Sequence, residues 1–307
     1  MLFGVGALLL AGGCTSNATT DAPAAGAANL TTTTAPRHLP GHTTWTETLF
    51  DDSRATKPAN QAVVSSRALE TAIYRPNGTG PFPVVVFAHG LIGHPDKFTK
   101  LLSKWADAGF VVAAPRFPLT NSDNPDAMAN THDAAEQAPD MEFVLDSLLS
   151  MNEERGAKLF GAIDDARIGA AGLSLGGLTT YNFVYGACCR DDRVDAAMVL
   201  DGFRPGDAEL DGHVPLLIAH SDTDPLIPMA SARAAFDTAK APAWLVTLHG
   251  ASHASQFEND VTPYDDLAER FTTDYWQATL NDDKAAYERL VDDAMVDGLS
   301  SIEVRNG

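Results

Sequence analysis

Ser174 stands in the stretch AAGLSLGGLTTY, residues 170–181, flanked by Gly172 and Gly176 in a G-x-S-x-G pattern. A serine hydroxyl attacks a carbonyl carbon only when a base takes its proton, so a nucleophilic reading needs a histidine and a group that orients it. The pattern alone is a hypothesis, and its setting decides. A buried strand must lead into the serine and a helix must lead out, so that a tight turn exposes the hydroxyl. Arg167–Leu173, RIGAAGL, reads as that strand, and an apolar helix runs on through Tyr185. Gly172, Gly176 and Gly177 leave room where Cβ atoms would crowd such a turn. The start of the helix also points free N–H groups and its positive dipole end at the reacting centre.

The base is sought after an acid, because the chain order on such a scaffold is serine, acid, histidine. Of nine histidines, His249 and His253 are the two that follow the strand-end acids of LLIAHSDTDPLIP, and both stand in TLHGASHASQF. His249 ends an apolar run and suits a structural place; His253 sits in the loop past Gly250 and is the expected base. For the acid, LLIAHSDTDPLIP offers Asp222 and Asp224. Asp224 opens an Asp-Pro-Leu-Ile-Pro turn that sets the chain direction beyond the carboxylate, so it is the expected acid, with Asp222 capping the turn. The acid would hold the imidazole tautomer and stabilise the imidazolium.

A developing oxyanion needs backbone donors. One is the N–H of Leu175, directly after the serine. The other is expected from HGLIGH, which follows the strand PVVVFA: Gly90 would admit the substrate to the backbone and Leu91 would donate its N–H. His89 precedes Ser174, the wrong order for a base, and is expected to brace this loop.

These residues require strand ends to hold them. Arg67–Tyr74 alternates with period two, whereas Pro83–Ala88, Phe110–Ala114, Val194–Leu200, Val214–Ala219 and Ala243–Leu248 are near-continuous apolar runs. Such runs suit strands covered on both faces. Helical spacing occupies Asp96–Ala108, Met141–Met151, Ser231–Ala239, Pro263–Leu280 and Lys284–Met295, while Pro118–Pro139 reads as a polar loop that would rim the site. The alternation predicts one α/β domain, a mostly parallel sheet of about eight strands with helices on both faces. Ligands bind at the carboxyl ends of such strands, where every candidate above falls. Only Asp201–His213 joins the strand after the nucleophile helix to the next, too short for a large lid domain.

In order along the chain, AHGLIGH, GLSLGG, SDTDPLIP and HGASH resemble the α/β-hydrolases. The nearest likeness is to bacterial exported esterases related to dienelactone hydrolases, platelet-activating-factor acetylhydrolases, chlorophyllases and polyester-degrading cutinases. It covers nearly all of residues 60–260. The resemblance implies hydrolysis of carboxylic esters by Ser174, Asp224 and His253 through an acyl-enzyme, with no metal and no cofactor. Polyester hydrolases usually carry an aromatic residue on the oxyanion loop, Met after the nucleophile and Trp along the cleft. Here Leu91, Leu175 and Phe203 stand instead, which leaves polyester hydrolysis as a secondary reading. A serine peptidase of the same fold competes with it, and so does an inert surface-binding lipoprotein.

The flanking sequence bears on location. MLFGVGALLLAGGCTS has an apolar run too short to span a bilayer but suited to an export signal. It resembles the end of a bacterial lipoprotein signal in which Cys14 is acylated. Residues 1–14 are therefore expected as signal, 15–42 as a flexible Ala/Thr-rich tether and 43–307 as the catalytic domain. The product would be a monomer at the cell surface or in the periplasm, touching the membrane only through Cys14. A net charge of −20 argues against nucleic-acid partners and leaves a small or polymeric ester as the expected ligand. Cys188 and Cys189 are adjacent; they are expected as free thiols on a buried helix end, with a strained vicinal bond as the second possibility.

Overall fold

The computed structural model describes residues 38–306 apart from 205, 207–209, 211, 213 and 241. Its strands are β1 (His38–Asp51), β2 (Arg67–Gly78), β3 (Phe82–Ala88), β4 (Val111–Arg116), β5 (Ile163–Leu173), β6 (Ala196–Leu200), β7 (Leu216–Ser221), β8 (Ala243–Leu248) and β9 (Ser300–Arg305). Its helices are α1 (Thr99–Asp107), α2 (Ala134–Glu153), α3 (Leu175–Tyr185), α4 (Met229–Thr238), α5 (Asp265–Leu280) and α6 (Lys284–Asp293). The strands form one sheet in the order β1-β2-β4-β3-β5-β6-β7-β8-β9. From β4 through β8 neighbours run parallel, and β1, β2 and β9 close the two edges antiparallel.

Successive side chains of a strand face opposite sides, so a strand buried on both faces feeds two cores. Val84 and Val86 of β3 share one core with Met141, Val144 and Leu148 of α2, Phe183 of α3 and Phe236 of α4. Val85 and Phe87 turn the other way, to Trp105 of α1, Phe271 and Trp276 of α5 and Leu290 of α6. Helices thus cover both faces, as expected from the apolar runs, and among the described residues no large lid is inserted between β6 and β7.

Three local expectations are corrected. The sheet has two more edge strands than the apolar runs reveal, β1 and β9, and β1 starts at His38, inside the stretch read as tether. The region read as a polar loop up to Pro139 contains a short 3-10 turn, Ala127–Asp133, and the first turns of α2. Pro139 is the sixth residue of α2, past its first turn, and having no N–H it leaves the Ala135 carbonyl without an intrahelical donor. The cysteines form a vicinal disulfide, Cys188–Cys189, on the turn after α3, with Cys188 exposed rather than buried. Cys14 and the expected signal lie outside the described residues.

The segment 127–140 carries a buried ionic staple. Arg67 of β2, with no exposed surface, donates to both oxygens of Asp140 and of Asp133, at 2.6–3.1 Å. Arg54 adds a contact to Asp140 at 2.8 Å. Burial pushes the Asp140 carboxyl up, and the two guanidinium groups pull against it.

Candidate active site

Ser174 occupies the sharp turn between β5 and α3, with φ 57° and ψ −114°, a left-handed backbone that a side chain rarely adopts. The turn is held from the next strand: Ser174 N–H donates to Leu200 O at 2.9 Å. Close approach explains the glycines. A Cβ on Gly172 would lie 2.1 Å from Gly176 O, and one on Gly176 would lie 2.0 Å from Ala88 O. Both distances are far inside van der Waals contact, so α3 can start here only if these positions lack side chains.

The loops after β7 and β8 bring the acid and the base to this serine. His253 Nε2 lies 2.9 Å from Ser174 Oγ, and His253 Nδ1 lies 2.6 Å from Asp224 Oδ2. The other Asp224 oxygen accepts the N–H groups of Leu226 and Ile227 at 2.7 and 2.9 Å. Burial pushes the Asp224 carboxyl up, but the Ile227 N–H, His253 and the Leu226 N–H outweigh it and hold the group below its ordinary value. A carboxylate that stays ionised opposite Nδ1 leaves Nε2 free to take the serine proton.

The two rejected candidates pair with each other instead. His249 Nδ1 lies 2.9 Å from Asp222 Oδ2, and the opposite ring nitrogen faces Ser301 Oγ of β9 at 3.0 Å. Asp222 also accepts Gly250 N–H at 2.8 Å, so it ties the loop after β8 rather than capping its own turn, whose N–H groups go to Asp224.

The loop after β3 approaches from the other side. A Cβ on Gly90 would sit 3.1 Å from Ser174 Cβ, so this loop meets the serine at van der Waals range. Gly90 O accepts from His89 Nδ1 at 2.7 Å and from Gly93 N–H at 2.9 Å. In a trans peptide the N–H points opposite to the C=O. Fixing Gly90 O on the imidazole therefore turns the Leu91 N–H away from it. Neither Leu91 N–H nor Leu175 N–H donates to an acceptor among the described residues. His89 is fully buried and burial lowers it to about 4, so it stays neutral; its Nε2 accepts Phe117 N–H at 3.1 Å. The brace expected of His89 is thus a bridge from β3 to the chain leaving β4.

A second strap holds the same loop. Ile92 N–H donates to Thr120 O at 2.8 Å, and Gln137 of α2 joins Thr120 Oγ1 to Thr179 Oγ1 of α3 at 2.8 and 2.5 Å. Phe203, half exposed, donates its N–H to Ser174 O at 3.4 Å; Ile92 and Leu226, also exposed, follow Leu91 by one residue and Asp224 by two.

One participant escaped the sequence reading. Asp201, directly after β6, is wholly buried, and its carboxylate, that of Asp224 and a ring nitrogen of His253 lie within 4.8 Å of one another. Each of these groups is engaged by protein donors or acceptors, so the cluster is built for hydrogen bonding rather than as a cation cage. The signal that could have found it is the one that found Asp224, an aspartate where an apolar strand run ends.

The model of the dienelactone hydrolase family matches residues 69–282, which spans every residue of this site. No curated protein matches the chain.

Proposed function

Because the chain belongs to the dienelactone hydrolase family and is a hydrolase of the α/β type, we propose that it hydrolyses uncharged carboxylic esters of short to medium acyl length through an acyl-enzyme on Ser174. The observation that carries the reading is the continuous path from Ser174 Oγ through His253 to Asp224, with links of 2.9 and 2.6 Å.

His253 Nε2 takes the Ser174 proton as Oγ attacks the ester carbonyl carbon. Asp224, ionised and held by two N–H groups, stabilises the imidazolium that results. The carbonyl oxygen, now negative, is received by the Leu91 and Leu175 N–H groups; one such donor is worth about 3 kcal/mol in the transition state. His253 then returns its proton to the leaving alcohol oxygen, and an acyl-serine remains. A water molecule repeats the sequence with His253 as base and releases the acid.

The rim supports an apolar substrate. Phe203, Leu226 and Ile92 are 50%, 71% and 43% exposed beside the site, and a net charge of −20 disfavours anionic esters. With export and acylation at Cys14, this chemistry would be performed at the cell surface or in the periplasm by a monomer on a tether.

Hydrolysis of p-nitrophenyl esters from acetate to palmitate, by wild type and Ser174→Ala, tests the reading. Turnover of the shorter esters by wild type alone supports it, and the profile of chain lengths sizes the cleft. Inactivity of wild type on every length would overturn it.

A further inference from the structure

Two carboxylates, not one, converge behind His253. Asp224 bonds the ring directly. Asp201 bonds what carries the ring. Its Oδ1 accepts Ser221 N–H at 2.9 Å, and its Oδ2 accepts both Ala254 N–H, at 3.2 Å, and the Gln256 amide. The Gln256 amide also donates to Ser252 O at 2.8 Å. The chain is therefore gripped on both sides of His253, at 252 and at 254, by one amide and one carboxylate.

The grip is needed because the loop is not at rest on its own. Ala254 has φ 74°, a left-handed conformation that persists only where surrounding bonds impose it. Asp201 itself has φ 41° and its N–H is fixed to Ala219 O at 2.8 Å. The clamp is thus anchored to the β6–β7 ladder.

We propose that Asp201 is a positioning residue for His253, holding Ala254 and Gln256 so that the imidazole stays between Ser174 and Asp224. The proposal rests on the reading of those three residues as a catalytic unit. The ionisable groups around Asp201 are His220 of β7, at 3.9 Å, Asp224 beyond β7 and His253 beyond β8. Glu258, further along the same loop, also senses His253. Burial raises the Asp201 carboxyl to about 6, against the pull of His220 and of its N–H donors, so the group carries a negative charge at neutral pH.

The test compares wild type with Asp201→Asn and Gln256→Ala by two independent readouts. The first is the deshielded Nδ1 proton of the His253–Asp224 bond, followed by proton NMR without substrate. The second is kcat and KM on p-nitrophenyl butyrate. In Asp201→Asn the resonance is expected to broaden or vanish, and kcat to fall about 10- to 100-fold with KM within about twofold. Gln256→Ala, which keeps the Asp201 carboxylate, should lower kcat at least about fivefold.

An unchanged resonance and kcat in both variants would overturn the proposal. So would a fall in kcat that merely tracks loss of folded protein, with the resonance unchanged in the folded fraction. Should Asp201→Asn fail to fold, Gln256→Ala decides, and wild-type kcat there overturns the proposal. If wild type cleaves no ester while Asp201→Asn still loses the resonance, the positioning role stands and the esterase reading falls.

Discussion

Gly176 of α3 rests against the carbonyl of Ala88, the last residue of β3, so closely that a Cβ on Gly176 would lie 2.0 Å from Ala88 O. Helix and strand meet here without a side chain between them, and the contact sets how near the serine turn comes to the loop that starts at His89. Gly176→Ala is therefore expected to cost more than the roughly 1–3 kcal/mol of ordinary overpacking, because a backbone atom is what it strikes. Thermal melting and ester hydrolysis check this together: a drop in Tm of several degrees with activity lost is the expected outcome, and wild-type behaviour would contradict it.

Asp222 and Asp224 lie two positions apart and both pair with histidines, yet their substitution should differ sharply. Asp224→Asn removes the carboxylate opposite His253 Nδ1 and is expected to lower kcat by about 10⁴, the order seen when a triad acid becomes an amide. Asp222→Asn alters an exposed pair with His249 and should leave kcat within about threefold. Side-by-side kinetics on one ester separate the two.

His89 gives the molecule an acid-sensitive brace. Its folded-state value is lowered to about 4 by burial, against about 6.5 for a free imidazole. The contribution to stability is complete above about 6.5 and is lost as pH falls toward 4, since the unfolded chain takes up the proton first. The shift corresponds to roughly 3 kcal/mol at most. Asp201, raised to about 6, acts in the opposite sense over part of that window, so the comparison must be differential. Between pH 7 and 4, urea unfolding of wild type should lose more stability than that of His89→Gln; parallel curves would contradict this.

The staple at Arg67 predicts a salt-insensitive defect. Arg67→Met strands Asp133 and Asp140 without their main partner in a buried site and should cost about 3–5 kcal/mol. Ions in solution do not reach the cluster, so molar salt should not restore the loss, measured as the shift in urea midpoint. The exposed acidic surface should respond differently. Wild-type activity retained in molar salt would fit adaptation to a saline habitat.

What could be read in advance follows the physics of burial. β3, β6, β7 and β8, and the second half of β5 from Ile168 to Leu173, are largely apolar because helices cover both faces, so their runs announce them. β1, HLPGHTTWTETLFD, buries little beyond Leu49 and Asp51, and β9, SSIEVR, buries only Ser300; edge strands of that kind leave no apolar period to read. Ser174, Asp224 and His253 were legible because turn chemistry and chain order constrain them. Asp201 was not, because its importance lies in whose N–H groups it accepts, and those come from residues 221 to 256. Arg67 and Asp140 likewise meet only after the sheet has folded.

The ladder that pairs Ala88 with Gly172, Leu173 with Leu200, Leu200 with Ala219 and Ser221 with Leu248 acts as a ruler for everything beyond it. A slip of one residue would carry a group about 3.3 Å and turn it to the opposite face. Accuracy at the site is therefore inherited from main-chain bonds buried in the sheet rather than created by the loops. Those loops, and with them the substrates admitted, are free to diverge while the spacing of the reacting groups stays constant.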